Sequence, residues 1–213
     1  MLTSLRNRYT FLMCYNGILR HETMFKGELS SLLALRIERA KDEDPMIVSI
    51  LQLMEGKTVK PGTRQFGRAI RAKEAVDCPI GALGFYLLHR FSMSGEFFGD
   101  EHPDFSANKN WFNFKILTDG TQKNTKMLKK STYVDQIRQC FLDLGLTSSH
   151  YGHWGRVSGP VKLEQEEVPP DLIKVMGNWE PSIQETRYSS KLPLLPLRVM
   201  AGFGKDEKHI LPR

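Results

Sequence analysis

Long apolar runs and paired cysteines are both missing from this sequence of 213 residues. Because no run of eighteen apolar residues occurs and the N-terminus lacks an apolar core, neither a membrane-spanning helix nor a signal peptide is predicted. The three cysteines, Cys14, Cys78 and Cys140, are widely separated and form no CxxC motif. We expect buried thiols in a reducing compartment, and neither a disulfide framework nor a zinc site. The expected protein is intracellular and soluble.

Motifs that bind nucleotides or metal ions are also absent from the sequence. It contains no glycine-rich phosphate loop and no suitable cluster of carboxylates, so we expect neither a cofactor nor a metal. What it does contain is an excess of positive charge, +6 from 30 basic and 24 acidic residues, which favours a polyanionic partner. Hydrophobic residues make up 40% of the chain, enough to form a core. We predict a single domain over residues 1–213.

The spacing of apolar residues in the first half predicts two helices and a small antiparallel sheet. The first helix is expected over 3–16, closed by Gly17, and the second over 20–24. Pro61 and Gly62 predict the tip of a hairpin between the last two strands. Three segments have strand composition: 31–37, 46–54 and 65–71.

The second half is predicted to be mostly helical, which makes the whole an α+β domain dominated by helix. A helix over 131–144 is expected to be capped by Ser131 or Thr132 and ended by Gly145. The segment 119–130 carries four lysines and is interpreted as a mobile basic loop. The other predicted elements are a helix over 79–92, a loop over 94–110, and short helices after Arg156, after Pro170, around Tyr188 and over 195–201.

The residues with the most useful chemistry lie in the last third of the chain. His153-Trp-Gly-Arg156 and Tyr188 provide an imidazole, a guanidinium and a phenol, and Arg20 upstream provides a second guanidinium. Taken alone, each of these has an ordinary explanation as a surface charge or a packed aromatic ring. Together they could hold a phosphodiester, protonate a leaving group and supply a nucleophile. Their order along the chain is therefore the observation that points to a function.

In that order the chain resembles the tyrosine recombinases and integrases. Their pattern is an arginine, a lysine on a β-hairpin, His-x-x-Arg, a glycine followed by His or Trp, and a tyrosine. Cys78-Pro-Ile-Gly-Ala-Leu-Gly-Phe-Tyr86 and Met200-Ala-Gly-Phe203 are similar to the fungal branch. That branch holds crypton-type recombinases and the second domain of the large DNA-binding subunit of the budding-yeast centromere-binding complex. The corresponding residues here are Arg20, Lys57 or Lys60, His153, Arg156, Asn178 and Tyr188.

The resemblance, which runs from about Leu5 to Phe203, implies the tyrosine recombinase catalytic-domain fold and a role for each residue. Arg20 and Arg156 would bind the charge on a phosphodiester bidentately. Tyr188 would be the nucleophile and form a covalent phosphotyrosine. His153 would act as general base or phosphate ligand, and Lys57 as general acid. Double-stranded DNA is then the expected partner and the nucleus the expected location.

Asn178 departs from the family pattern, because it stands where the family has His or Trp. An asparagine donates a hydrogen bond but does not titrate near neutral pH. Loss of a key oxyanion donor costs about 3 kcal/mol, so we predict weakened or lost catalysis with DNA binding retained.

A second departure is that the chain begins almost at the catalytic domain, and the N-terminal clamp domain of typical recombinases is expected to be absent from it. Either that domain has been lost, or the chain is a fragment of a longer product. DNA binding would then depend on basic residues that contact phosphates without reading sequence. A solvated loop is the competing interpretation of the lysine cluster. Besides the two arginines, the candidate DNA contacts are Lys60, Arg64, Arg68, Arg71, Lys123, Lys126, Lys129 and Lys130.

Three functions remain open at this point. The first is DNA binding without catalysis, akin to the centromere-binding domain of fungal kinetochore proteins. The second is an active crypton-type recombinase that cuts and rejoins DNA through a 3′-phosphotyrosine on Tyr188. The third is a protein-interaction module that keeps the fold but not the ligand. Formation of a homo-oligomer, and the choice of Lys57 or Lys60 for the active site, also remain open.

Overall fold

The computed structural model describes residues 1–53, 65–93, 105–119, 125–179 and 192–212. Within them the fold is the predicted α+β arrangement, mostly helical with one three-stranded antiparallel sheet. The strands are β1 (Leu32–Ile37), β2 (Met46–Leu53) and β3 (Gln65–Ile70). The helices are α1 (Leu2–Asn16), α2 (His21–Phe25), α3 (Pro79–Leu88), α4 (Asn108–Trp111), α5 (Lys130–Asp143), α6 (Trp154–Gln165), α7 (Pro170–Gly177) and α8 (Leu194–Met200).

The central strand β2 separates two hydrophobic clusters. The sheet order is β1-β2-β3, with Leu32 opposite Leu51 and Val48 opposite Ile70. Side chains alternate across a strand, so the even-numbered residues of β2, such as Val48, enter one cluster and Leu51 and Leu53 enter the other. This two-sided burial explains why β2 reads as a nearly continuous apolar run.

The two clusters contain different helices. The first is formed by α1, α3 and α5, through residues such as Tyr9, Tyr86 and Tyr133. The second is formed by α6, α7 and α8, through residues such as Leu163 and Met176. The sheet and α1 therefore connect the N-terminal part of the chain to the helices that follow His153.

Close packing of α6 against α1 depends on two glycines. A Cβ atom on Gly155 would lie 2.7 Å from the carbonyl oxygen of Cys14, and one on Gly159 would lie 3.0 Å from that of Tyr15. Neither distance leaves room for a larger residue, because the obstacle is backbone. The two glycines thus bring the first turn of α6 beside the C-terminal end of α1.

Several details of the helices differ from the sequence prediction. Helix α5 begins at Lys130 with no side-chain cap, so the predicted cap at Ser131 or Thr132 is wrong. The helix predicted to follow Arg156 begins before it, at Trp154. The helix predicted over 79–92 ends at Leu88 and continues as one π-type turn. Within the predicted loop 94–110, α4 begins at Asn108.

The cysteine prediction is partly wrong. Cys14 and Cys78 are buried thiols as expected, but Cys140 is exposed on α5.

The described ends of the basic segment 119–130 are anchored, because Leu128 is buried and Thr118 pairs with Met127. No described helix is long and apolar enough to cross a membrane.

Candidate nucleic-acid site

Arg20 and Arg156, far apart in sequence, are close together in the structure. Arg20 lies immediately before α2, and Arg156 lies in the first turn of α6. Burial, and then the positive charge of Arg20, lower the pKa of Arg156 to about 10. One charge perturbs another in this way only at short range. The fold therefore brings two half-buried guanidiniums together.

The position of Arg20 follows from a tight turn after α1. Ile18, fully buried, has a left-handed φ of 52°, which is rare for a β-branched residue. The Leu19 amide donates to the carbonyl of Cys14 at 2.9 Å and closes the turn. The Nε atom of Arg20 is buried and has no hydrogen-bond partner among the described residues. A buried donor of this kind is costly unless a ligand completes it.

Arg156 is oriented by the end of α7. Its Nη1 atom donates a hydrogen bond to the carbonyl oxygen of Gly177 at 3.1 Å. Its guanidinium carbon lies 5.2 Å from the centroid of the Trp179 ring, in the range of a cation–π contact. These two contacts fix the plane of the guanidinium before any ligand arrives.

The side-chain amide of Asn178 is directed to β3, although its place in the motif suggested a phosphate contact. It ends α7 in the left-handed conformation, with φ of 51°, which asparagine tolerates better than most residues. Its Nδ2 atom donates to the carbonyl of Phe66 at 3.0 Å, and the Phe66 amide donates to its Oδ1 atom at 3.4 Å. The side-chain amide of Asn178 thus ties α7 to β3. The neighbouring Trp179, not Asn178, packs against Arg156.

A second tie joins α2 to the turn before α6. The backbone amide of His21 donates to the carbonyl of Gly152 at 3.4 Å, and its Nδ1 atom donates to the same oxygen. The imidazole is 4% exposed, stacks on Tyr133 and meets the ring of Phe25 edge-on. A Cβ atom on Gly152 would overlap the imidazole, so only glycine fits there.

The His21–Gly152 contact explains why the site residues converge. His21 directly follows Arg20, and Gly152 directly precedes His153. The exposed His153 ring lies near enough for its charge to lower the pKa of His21, although burial has the larger effect. Sequence reasoning missed His21, Gly152 and Trp179. The sequence could have indicated these three residues only by their positions, because each directly neighbours a motif residue.

The predicted DNA-contact residues that the structure describes differ in their partners and in their exposure. Lys130 pairs with Glu22 on α2, and Lys126 pairs with Asp119 at 2.7 Å. Arg68 is half-buried over the Phe66 ring, where burial lowers its pKa. Lys129 and Arg71 are exposed. The other predicted site residues lie outside the described part of the chain: Lys57, Lys60, Arg64, Lys123 and Tyr188.

A family model matches residues 1–209 of this chain, and its description is "Centromere DNA-binding protein complex CBF3 subunit, domain 2". The chain belongs to this family. The match covers nearly the whole sequence and confirms the resemblance that the ordered motifs indicated. No curated protein matches the sequence.

Solved structures of tyrosine recombinases have the same fold as this domain-2 family member. An FLP recombinase–Holliday junction complex matches with a TM-score of 0.61 and 14% identity, covering all of this chain and 48% of that one. A Flpe–Holliday junction complex matches with a TM-score of 0.52 and 15% identity, covering 84% and 40%. The chain thus spans less than half the length of these recombinases. The expected tyrosine recombinase fold is confirmed.

Proposed function

We propose that this domain binds double-stranded DNA through backbone phosphates at the surface formed by Arg20, Arg156 and His153. The observation that carries the proposal is the convergence of two half-buried guanidiniums beside an exposed imidazole. Paired guanidiniums present planar sets of N–H donors that match the oxygens of a phosphate. The net charge of +6 adds long-range attraction to a polyanion.

The electrostatics of the arginine pair favour an anionic ligand. Two like charges held close together repel each other, and burial removes the water that would screen them. A phosphate between Arg20 and Arg156 would offset this repulsion and give the buried Nε atom of Arg20 an acceptor. Since Gly177 and Trp179 already hold Arg156 in place, little side-chain entropy would be lost on binding.

Binding without efficient strand cleavage is the activity that we infer. In support of this, the amide of Asn178 is engaged with Phe66 and is directed to β3. The alternative is an active crypton-type recombinase in which Tyr188 attacks the phosphodiester.

By extension from the description of its family, we infer a nuclear protein that binds centromere-type DNA in a fungal kinetochore. A fluorescent fusion that stayed outside the nucleus would contradict the inferred location.

Salt-dependent binding tests the phosphate proposal. Fluorescence anisotropy with a labelled duplex should give an affinity that falls linearly on a log–log plot as salt rises. Arg20→Ala and Arg156→Ala should each weaken binding at least about 10-fold, the size expected for a lost charged hydrogen bond of 1.5–3 kcal/mol. Arg138→Ala, at an exposed position on α5, is the matched control and should bind as the wild type does. Binding that is absent, or independent of salt, would rule out the proposal.

A nicked suicide duplex distinguishes binding from catalysis. In a recombinase, loss of the short leaving strand traps the enzyme as a covalent phosphotyrosine adduct. We expect no adduct on denaturing gels under conditions in which the duplex is bound. An adduct that disappears in Tyr188→Phe would establish the recombinase instead.

A further inference from the structure

A cleft lined by aromatic rings lies on the side of α6 that faces away from Arg156. Its volume is about 510 Å³, and it lies between α1 and α6. Trp154, Ser158 and Lys162 line it from α6, at a spacing of four residues that places them on one face. At ~100° per residue, Arg156 is about 200° around the helix from Trp154. The cleft is therefore separate from the arginine pair.

Three rings form the apolar part of the cleft. Trp154 stacks on Phe11 with ring centroids 3.7 Å apart, and its plane is within 15° of that of Tyr15 at 6.0 Å. All three rings are half-buried. Each therefore has part of its surface open to the cleft, and an aromatic face attracts a cation.

Two carboxylates flank these rings. Glu74 and Asp77 lie in one short turn before α3, both are exposed, and both line the cleft. Neither has an ion-pair partner within the described part of the chain. Burial, and then the charge of Asp77, raise the pKa of Tyr15, which places that carboxylate close to the phenol. Arg8 approaches the same turn, where its Nη2 atom donates to the carbonyl oxygens of Ala75 and Val76 and not to either carboxylate. The cleft thus combines aromatic faces with two exposed carboxylates that form no ion pair among the described residues.

We propose that this cleft docks an arginine side chain of a partner protein. The guanidinium would stack on the Trp154 and Tyr15 rings, its stem would cover apolar surface, and Glu74 and Asp77 would neutralise its charge. Lys162 is the one basic residue among the described residues that line the cleft, and it lies at the α6 end. Its charge disfavours a run of basic residues, so a single arginine is the favoured occupant.

The position of the cleft has a consequence for assembly. Because Trp154 and Arg156 point to opposite sides of α6, DNA at the arginine pair leaves the cleft accessible. The domain could then hold DNA and a protein partner at the same time, through separate surfaces. This inference does not depend on the proposed DNA binding, since none of the cleft residues belongs to the phosphate site.

Titration of the 213-residue chain with acetyl-Leu-Arg-amide tests the proposal. The indole N–H signal of Trp154, assigned with Trp154→Phe, should shift in a saturable way at millimolar peptide. The double variant Glu74→Gln/Asp77→Asn should bind the peptide about fivefold more weakly, as expected for loss of partly exposed ion pairs. Glu164→Gln/Glu166→Gln, which removes two exposed carboxylates at the end of α6, is the control and should match the wild type.

Two further arms make the test decisive. Acetyl-Leu-Glu-amide should cause no saturable shift, and prior addition of duplex DNA should leave the arginine peptide bound with the same affinity. Equal binding of both peptides, or no effect of the Glu74 and Asp77 substitutions, would overturn the arginine site. Displacement of the peptide by DNA would overturn the claim of separate surfaces. The four substituted carboxylates are at exposed positions, so loss of folding is not expected for those variants, and circular dichroism would verify this.

Discussion

Two hydrogen-bonded ties hold the candidate site together, and they differ in chemistry. The Asn178–Phe66 tie joins α7 to β3 through a neutral amide that makes two bonds. The His21–Gly152 tie joins α2 to the turn before α6 through a buried, titratable ring. The first fixes the carbonyl that orients Arg156, and the second fixes Arg20 beside His153. Only the second can respond to pH, so the two ties can be broken separately.

The largest effect is expected from Gly152→Ala. The added methyl group overlaps the His21 imidazole, which stacks on Tyr133 and meets the ring of Phe25 edge-on. Overpacking of this kind costs about 1–3 kcal/mol, measured as the free energy of unfolding in urea. Binding of duplex DNA should fall further than stability alone explains, since Arg20 and His153 would separate.

Gly84→Ala is the matched control for that substitution. Gly84 is exposed in the middle of α3, and a Cβ atom there would meet nothing within 4 Å. Replacing an unhindered helical glycine by alanine stabilises by about 0.5–1 kcal/mol. A Gly152→Ala variant as stable as Gly84→Ala would contradict the packing assigned to His21.

Substitutions of Asn178 test the other tie. Asn178→Ala removes both hydrogen bonds to Phe66 and places a Cβ-bearing residue without a polar side chain at φ of 51°. We expect a loss of about 1–3 kcal/mol in unfolding free energy. Asn178→Gly also removes the two hydrogen bonds, but glycine adopts the left-handed backbone conformation without strain. Asn178→Gly should therefore be less destabilising than Asn178→Ala. The reverse order would show that the left-handed backbone is not the constraint.

The pH dependence of stability distinguishes the two ties. Burial lowers the pKa of His21 in the folded state below the unfolded value of 6.5, so protons bind the unfolded chain more tightly. The contribution of His21 to the free energy of unfolding is therefore fully present above pH 6.5 and is lost as the pH falls below that value. The hydrogen bond to the Gly152 carbonyl and then the charge of Glu22 oppose this effect on the pKa, whereas Lys130 and His153 add to it.

A comparison of wild type with His21→Asn isolates that contribution. The buried His209 also has a lowered pKa and weakens the wild type in the same direction, but it is present in both proteins. Thermal melts between pH 8 and pH 5 should show a steeper loss for the wild type than for His21→Asn. Parallel curves would mean that His21 does not titrate in this range.

The smallest effect on stability is expected at the rim of the site. Lys130→Gln breaks an ion pair with Glu22 in which both partners are largely exposed, and such pairs contribute less than about 1 kcal/mol. If Lys130 also contacts a phosphate, the salt dependence of DNA binding should fall by a slope of about 1. An unchanged slope would restrict the phosphate contacts to the arginine pair.

The sequence predicted the secondary structure well where periodicity is strong. The three strands and the helices α1 and α8 lie within one or two residues of their predicted bounds, because apolar spacing and glycine or proline signals agree there. The predicted cap of α5 failed, since Ser131 and Thr132 fall inside a helix whose start is set by the burial of Leu128 and Tyr133. The prediction for Cys140 failed because spacing does not reveal which helix face is exposed.

The candidate site was predictable only in part. The order of Arg20, His153 and Arg156 was visible in the sequence, because a motif is a property of the chain itself. The direction of the Asn178 amide was not, since it depends on Phe66, a residue more than a hundred positions away. Neighbouring residues in a motif therefore do not share a role, because Asn178 is hydrogen-bonded to β3 whereas Trp179 contacts Arg156.

The amino-acid sequence by itself determined the fold class, the excess of positive charge and the family, because these depend on composition and on local order. Only the tertiary structure decided which side chains converge. Two glycines let α6 approach α1, and the buried His21 binds the turn that precedes α6. As a result, two distant guanidiniums lie together on one side of α6, and three aromatic rings lie on the other side. The physical reason is that side-chain direction follows from packing between elements, and packing involves residues far apart in the chain.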